Sequence, residues 1–497
     1  MNEYIVVGSG PAGVAAAKAL LANKKKVLML DAGKELPAPQ QSLVSSLKKQ
    51  HPETWTPCRS SDALQKRRFD SPYMYETPEL GLSARHAHVK ASFARGGLST
   101  VWGASMLPYE HADMQAWPKI DLAPWYRKVL SFVPLSGCSD ALEERFPLYT
   151  EPGSLLPSPQ ARAILDQCAR HGAALSKSGF AFGQSRLAVR AYPVKGSSGC
   201  VYCGLCMTGC AYDLIYCSGQ TLEELQKDKN FTYEQGVIVD RVEELEGRAI
   251  IHASRSGKNT RYTGEKVFLA TGVFSTAKTL LQSTKINSVT IRDSQYIIIP
   301  CLTRKRGQRG RHHALAQAFL ELRDPELGNA HLQVYTFSDL IEQGVAEKLG
   351  TIYRFLKPLL RPLVERLAVV QVFLHSDVSA TLQARLEGKG LLLEGTRRPQ
   401  QKRLPKILLR HAGKLGLLPL LPLVEYALPG QGFHSGGSFP MSDAPGVSDS
   451  DVLGRCGFDN IHIVDSSILP SIAGTTITLT VMANAYRIAD TVSGGKS

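Results

Sequence analysis

The stretch "EYIVVGSGPAGVAAAKALLANKKKVLMLDAG", Glu3 to Gly33, constrains the fold more than any other part of the chain. It reads as strand, glycine turn, helix, strand and acid. Tyr4 to Val7 form a buried-strand run, and Gly8, Gly10 and Gly13 supply a G-x-G-x-x-G spacing. Gly8 permits a tight turn, Gly10 lets the backbone approach a pyrophosphate, and Gly13 allows close packing of helix on strand. The small-residue helix that follows aims its amide end and dipole at phosphate. Asp31 closes the next strand about twenty residues on, where a ribose hydroxyl is bound. A lone glycine motif is weak, but in this setting the expectation is a bound dinucleotide on a parallel α/β sheet.

A chain of 497 residues exceeds one ordinary core, so two domains or one large composite unit are expected. Hydrophobic residues at 43% and charged residues at 21% are those of a folded soluble protein. The chain opens directly on a strand run, with neither basic leader nor cleavage site, and its longest apolar runs are cut by proline. The reading is therefore a cytoplasmic chain with reduced thiols. A formal net charge of +14 calls for an anionic partner. No recognised nucleic-acid fold motif accompanies that charge, which argues against nucleic acid.

Four of ten cysteines fall within "GCVYCGLCMTGCAYD". Cys200, Cys203, Cys206 and Cys210 make C-x2-C-x2-C-x3-C, the spacing of a bacterial ferredoxin loop, with Ala211 where that loop has proline. Gly199, Gly204 and Gly209 add backbone freedom and reachable amides. No second such run exists, so one iron–sulfur cluster would take Cys210, a more distant thiol such as Cys217, or stay three-ligated as a three-iron form. Zinc usually pairs two C-x2-C units across a longer gap, and unliganded thiols are the remaining reading.

Three further segments, in order along the chain, resemble the glucose–methanol–choline (GMC) flavin oxidoreductases. "FARGGLSTVWGASM" (93–106) is similar to their first signature, "VFLATGVFSTAKTLLQS" (267–283) to their second, and "CGFDNIHIVDSSILPSIAGTTITLTVMANAYRIAD" (456–490) to their C-terminal segment. The resemblance implies that the dinucleotide is FAD, with the Gly96–Gly97 turn beside the flavin. It also implies that Val239, in "YEQGVIVDRVEELEG", meets adenine through its backbone, and that Asp465 meets the ribityl chain. A helix or turn cap is the competing role for Asp465.

The implied fold class is an α/β FAD-binding Rossmann-like domain plus an α+β substrate domain with an antiparallel sheet. The FAD domain would be assembled from 1–110, 185–285 and 430–497. Residues 111–184 would form a connecting or lid segment, and 286–429 the substrate domain. "ALAQAFLELRD", "NAHLQVYTF", "LAVVQVFLHSD", "SATLQARLEG" and "GLLLEGTRR" read there as strands.

GMC enzymes carry H-x-x-G-T-x-x-M, and "FHSGGSFPM" has His434, Gly437, Ser438 and Met441 in that pattern. The resemblance makes His434 the base that takes the hydroxyl proton while hydride leaves carbon, a task suited to a neutral imidazole. The family's second His or Asn falls on Thr476, or on Thr475 if the loop slips by one. Threonine can orient an alcohol but cannot act as the base. The expected activity is oxidation of a CH–OH group in a small-molecule or lipid-linked alcohol, with an iron–sulfur centre passing electrons to an outside acceptor. A flavin reductase or electron-transfer protein, and a non-catalytic flavoprotein, are the alternatives.

Basic charge is concentrated. Between Gly395 and Val424 there is no acidic residue, while Arg397, Arg398, Lys402, Arg403, Lys406, Arg410 and Lys414 are positive. "TIYRFLKPLLRPLVERL" repeats the theme with Arg354, Lys357 and Arg361, broken by Pro358 and Pro362. Such segments suit an anionic membrane surface at the inner face, or else dock their leucines on the substrate domain.

Overall fold

In the computed structural model of the protein, Tyr4–Val7 lie in a fully enclosed strand, β1 (Asn2–Val7), and the structure describes residues 2–50, 66–193, 199–308, 312–396 and 402–495. Strand β2 (Val27–Asp31) runs parallel to β1 with Tyr4 opposite Val27 and Val7 opposite Leu30. On the other side β1 runs parallel to Lys258–Leu269, which in turn pairs with Ile461–Ile463. Phe231–Gln235 adds to β2, and the hairpin Val237–Leu245/Arg248–Arg255 extends the far edge. One seven-stranded sheet thus gathers the start, middle and end of the chain. Helix α1 (Pro11–Ala22) covers it, and its alanines let the C-terminal helix Thr478–Val492 pack closely along it.

A second seven-stranded sheet is antiparallel, in the order Leu417–Pro419, Tyr296–Thr303, Leu367–Leu374, Gly328–Tyr335, Ala318–Asp324 and Phe180–Gln184, with Glu425–Tyr426 also on Tyr296–Thr303. Period-two alternation splits its residues between two environments. Ile297, Ile299, Leu320, Leu322, Leu332 and Val334 join one apolar cluster with the helices Pro159–Arg170 and Arg403–Arg410. Phe319, Glu321, His331, Gln333 and Tyr335 alternate with them on the opposite face, and Phe319 and Tyr335 belong to the core of the first sheet's unit. That face is polar yet buried.

A third sheet of five strands holds Ser435–Gly436, Ser288–Asp293, Thr381–Glu387, Gly390–Gly395 and Leu82–Arg85. It carries the segment just after His434 at its edge.

The two basic segments fare differently. Leu404, Ile407 and Leu408 of helix Arg403–Arg410 are buried, and Arg403 pairs with Asp324 and Glu326, so this helix is a packing element. Arg397 and Arg398 lie outside the described residues. The other segment is one continuous helix, Thr351–Val364, running through Pro358 and Pro362 rather than stopping at them. Each proline removes one helical N–H, a cost lowered where water can reach the orphaned carbonyls of an outer helix. No described helix is long and apolar enough to cross a membrane.

Candidate active site

The glycine turn after β1 is closed by close approach. A side-chain carbon on Gly13 would sit 1.9 Å from the Gly8 carbonyl oxygen, and one on Gly8, at φ +102°, 2.5 Å from the Ala270 oxygen. Nothing stands within 4 Å of the same position on Gly10, so the turn presents open backbone at the start of α1. A side-chain carbon on Gly97 (φ +58°) would sit 3.3 Å from the Gly10 Cα, so the two glycines face each other closely. The Gly96 N–H donates to Ser9 Oγ at 2.9 Å, and Ser9 Oγ–H donates to Asp31. Tyr233 Oη also donates to Asp31, at 3.0 Å. Burial pushes the Asp31 carboxyl up to about 6 against the pull of those hydrogen bonds. The structure therefore brings Gly8, Gly10, Asp31, Gly96 and Gly97 to one cradle of open amides. Val239 stands beyond it, on the strand entered just after Gly236 donates to Ala32 O at 3.3 Å.

This cradle fits a dinucleotide. An open glycine turn feeds the amide end of a helix, and a buried acid with two hydroxyl neighbours stands where a ribose would lie. Asp465 is already occupied. Its carboxylate accepts from Gly272 N–H (2.8 Å), Thr276 Oγ (2.5 Å) and Ser467 N–H (2.9 Å), capping both helix Val273–Ser283 and its own turn.

His434 follows Phe433, which sits in the left-handed region at φ +59° with its ring stacked near Tyr75. A non-glycine residue held there costs roughly 1–3 kcal/mol and must be over-determined by its surroundings. Asp293 supplies the restraint: its carboxylate accepts from Gly430 N–H at 2.9 Å and Ser435 Oγ at 2.8 Å, and Ser294 N–H donates to the His434 carbonyl at 3.0 Å. Downstream, Gly437, Phe439 and Met441 donate their amides to Ser466, Ser467 and Ile468. The His434 loop is thus bolted at both ends.

The His434 ring lies over Phe373, centroids 4.5 Å apart, and its Nδ1 is buried with no hydrogen-bond partner among the described residues. Burial, aided by the neighbouring His331, pushes its pKa down to about 3, so the ring is neutral at working pH. The loop of Thr475 and Thr476 reaches the same place. A side-chain carbon on Gly474 would lie 2.8 Å from the Phe373 oxygen and 3.4 Å from the His331 nitrogen. Thr476 Oγ accepts from Leu107 N–H at 3.2 Å, whereas Thr475 Oγ is buried without a partner among the described residues. The structure points to Thr475 as the freer hydroxyl.

Beneath this loop runs a chain absent from the sequence reading. Tyr335 Oη donates to Gln333 (3.0 Å), Gln333 Nε2 meets His331 Nε2 (3.1 Å), and His331 Nδ1 meets Glu321 (2.5 Å). All four side chains are buried. They stand two residues apart on one strand with Glu321 on the next, a period-two polar face that read only as a strand.

The four cysteines do not assemble as expected. Among the described residues, no group of three or more His, Cys, Asp and Glu side chains is placed to hold a metal ion. Cys200, Cys203, Cys206 and Cys210 are separate thiols lining one apolar cavity with Tyr212, Leu315 and His313. Ala314 N–H donates to Cys206 and Leu214 N–H to Cys210, each at 3.4 Å, while the amides of Tyr202 and Leu205 serve Cys200 and Cys203. Each sulfur is held by its own amide, and burial pushes the Cys200 thiol up to about 11. A second cavity joins Cys206, Cys210 and Cys217 to the Ser99–Trp102 segment, with Lys66, Arg67 and Arg68 among its walls.

Residues 423–485, which include His434, Asp465 and both threonines, match the family model described as GMC oxidoreductase. No curated protein matches the chain. Among solved structures, pyridoxine 4-oxidase from Mesorbium loti matches over 100% of both chains, at 15% identity and a TM-score of 0.62. A formate oxidase variant from Aspergillus oryzae RIB40, solved for its effect on FAD modification, matches over 99% of this chain and 98% of that one. Its identity is 14% and its TM-score 0.64. The C-terminal segment is thus similar to that of the GMC oxidoreductases, and the fold is shared with these structures over the full length of the chain.

Proposed function

We propose that the protein is an FAD-dependent dehydrogenase that oxidises the CH–OH group of a small-molecule alcohol, with His434 as base. The observation that carries this reading is the neutral, half-buried His434 imidazole whose Nδ1 has no partner among the described residues, stacked on Phe373, whose backbone oxygen the Gly474 turn before Thr475 also approaches. Bound FAD supplies the acceptor for the hydride. The open turn at Gly8–Gly13, with Gly96, Gly97 and Asp31, is the set of residues that would hold it, and Val239 lies on the expected adenine side. His434 takes the hydroxyl proton on a ring nitrogen, and Thr475 or Thr476 orients the alcohol oxygen. Phe373 keeps the imidazole flat and excludes water from one side.

The exposed Phe433 and Leu428 near His434 favour an amphiphilic substrate, such as a lipid-linked alcohol or glycoside. Four thiols in ferredoxin spacing around one cavity, with a second cavity leading from them to Ser99–Trp102, support an iron–sulfur centre on the electron exit. Such a centre would carry electrons singly, which favours a dehydrogenase over an oxygen-using oxidase. Anaerobic titration with a panel of alcohols tests the main reading: bleaching of the flavin band by an alcohol is expected. A flavin that no alcohol bleaches, but that a reduced nicotinamide does, would favour the reductase alternative.

A further inference from the structure

Helix Thr351–Val364 is apolar on two sides. Tyr353, Leu360 and Val364 pack with Phe337, Ile341 and Leu367 in a satellite core. Ile352, Phe355, Leu356, Leu359 and Leu363 recur at i, i+3, i+4, i+7 and i+11 on the other side, and all are exposed. Phe355 is 83% exposed and Leu359 76%. Burying these side chains would be favourable, yet no described residue covers them. The stripe continues onto a neighbouring loop. Lys348 pairs with Glu425, which sets the entry of this helix beside Leu421 and Leu423, both exposed.

Positive charge borders the stripe. Arg354, Lys357 and Arg361 lie on the helix itself. At its far end Thr303 N–H donates to Arg366 O and Gly307 N–H to Glu365 O, which holds the exposed triplet Arg304, Lys305 and Arg306 against the helix terminus. Arg304, Lys305, Arg306 and Arg354 make no ion pair among the described residues. A bare apolar helical face rimmed by cations matches the interface of an anionic bilayer, where side chains such as Phe and Leu enter the acyl boundary and Arg and Lys meet phosphate. Two copies of so basic a face would repel each other, which argues against self-association here.

We propose that this face, Ile352–Leu363 with Arg304–Arg306, docks the protein reversibly on anionic lipid. The more basic Arg403–Arg410 helix, whose Leu404, Ile407 and Leu408 are already buried, takes no part. The inference stands apart from the flavin chemistry, although it would present the substrate sheet to lipid.

The test is co-sedimentation of the flavin-loaded protein with phosphatidylserine–phosphatidylcholine vesicles and with phosphatidylcholine vesicles, at low and high salt. Wild type should pellet with the anionic vesicles, and less so at high salt as charge is screened. Phe355→Glu/Leu359→Glu should weaken binding at least about tenfold. Arg304→Gln/Lys305→Gln/Arg306→Gln should weaken it and flatten its salt dependence, whereas Lys406→Glu/Arg410→Glu should change little. Flavin absorbance and bleaching by a water-soluble alcohol, read on the same variants, keep a failed docking distinct from a failed enzyme. Wild type left in the supernatant with anionic vesicles overturns the proposal. So does a dimer in sedimentation velocity that Phe355→Glu/Leu359→Glu abolishes, because the face would then belong to a second copy.

Discussion

The imidazole of His434 lies 4.5 Å, centroid to centroid, from the ring of Phe373 and tilts 30° from it. Phe373 sits on the second, antiparallel sheet, while His434 enters from the C-terminal segment. The strand carrying one and the loop carrying the other therefore decide together where the imidazole stands. Burial against that ring keeps the imidazole uncharged and makes it costly to protonate.

That cost gives a pH prediction. The folded pKa, about 3, is below the ordinary 6.5 of an unfolded histidine. As pH falls through 6.5 the unfolded chain takes up a proton that the folded one refuses, so this residue destabilises the fold on the acid side. His434→Phe should therefore raise the melting temperature relative to wild type at pH 5 and show no such gain above pH 7.5. The same variant should reduce its flavin with alcohol about 10²–10⁴-fold more slowly while still holding FAD. Reduction at the wild-type rate would move the base elsewhere.

The two threonines should separate cleanly. Thr476→Val leaves the buried Leu107 N–H without an acceptor, at about 1–3 kcal/mol of stability, read as a lower urea midpoint. Thr475→Val removes a hydroxyl that satisfies nothing in the fold, so its midpoint should hold. Its loss should appear instead as roughly tenfold in kcat/KM for the alcohol, on the scale of one lost hydrogen bond. The reverse pattern would return the orienting role to Thr476.

What could be read from the chain was what local chemistry dictates. The Gly8–Gly13 turn and Asp31 were legible because a pyrophosphate-binding turn demands glycine at fixed offsets beside a strand. Asp293 was not, because its worth lies in Ser435, 142 positions away. His331 and Glu321 sit in runs that read as strands, and period-two alternation does not tell a polar buried face from a wet one. Helices Arg403–Arg410 and Thr351–Val364 share a basic, leucine-rich pattern, yet one is packed and the other bare. Amphipathicity shows that a helix has an apolar side, not what lies against it. Pro358 and Pro362 marked a break that tertiary packing and an open outer face override.

For the cysteine loop, protein purified without oxygen should contain about three or four irons per chain and show charge-transfer absorbance beside the flavin bands. Cys206→Ser should lose the iron and keep the FAD, since Cys206 lines the cavity but not the glycine cradle. Zinc in place of iron, or no metal in anaerobic preparations, would leave the four as amide-held structural thiols and remove the single-electron exit.

The last prediction concerns the pair beneath the site. His331 and Glu321 are fully enclosed, and burial raises the Glu321 pKa while His331 opposes that rise. Removing one partner strands the other. His331→Leu should cost about 3–5 kcal/mol, because a carboxyl without its imidazole has no water to turn to. Replacing both, as His331→Leu/Glu321→Leu, should restore most of that loss, since neither polar group is then left unpaired. A urea-unfolding cycle over wild type, the two single variants and the double variant gives the coupling directly. A double-variant loss equal to the sum of the two single losses would mean that the 2.5 Å contact carries no coupling energy, and that the polar face is held by the Gln333 and Tyr335 end of the chain instead.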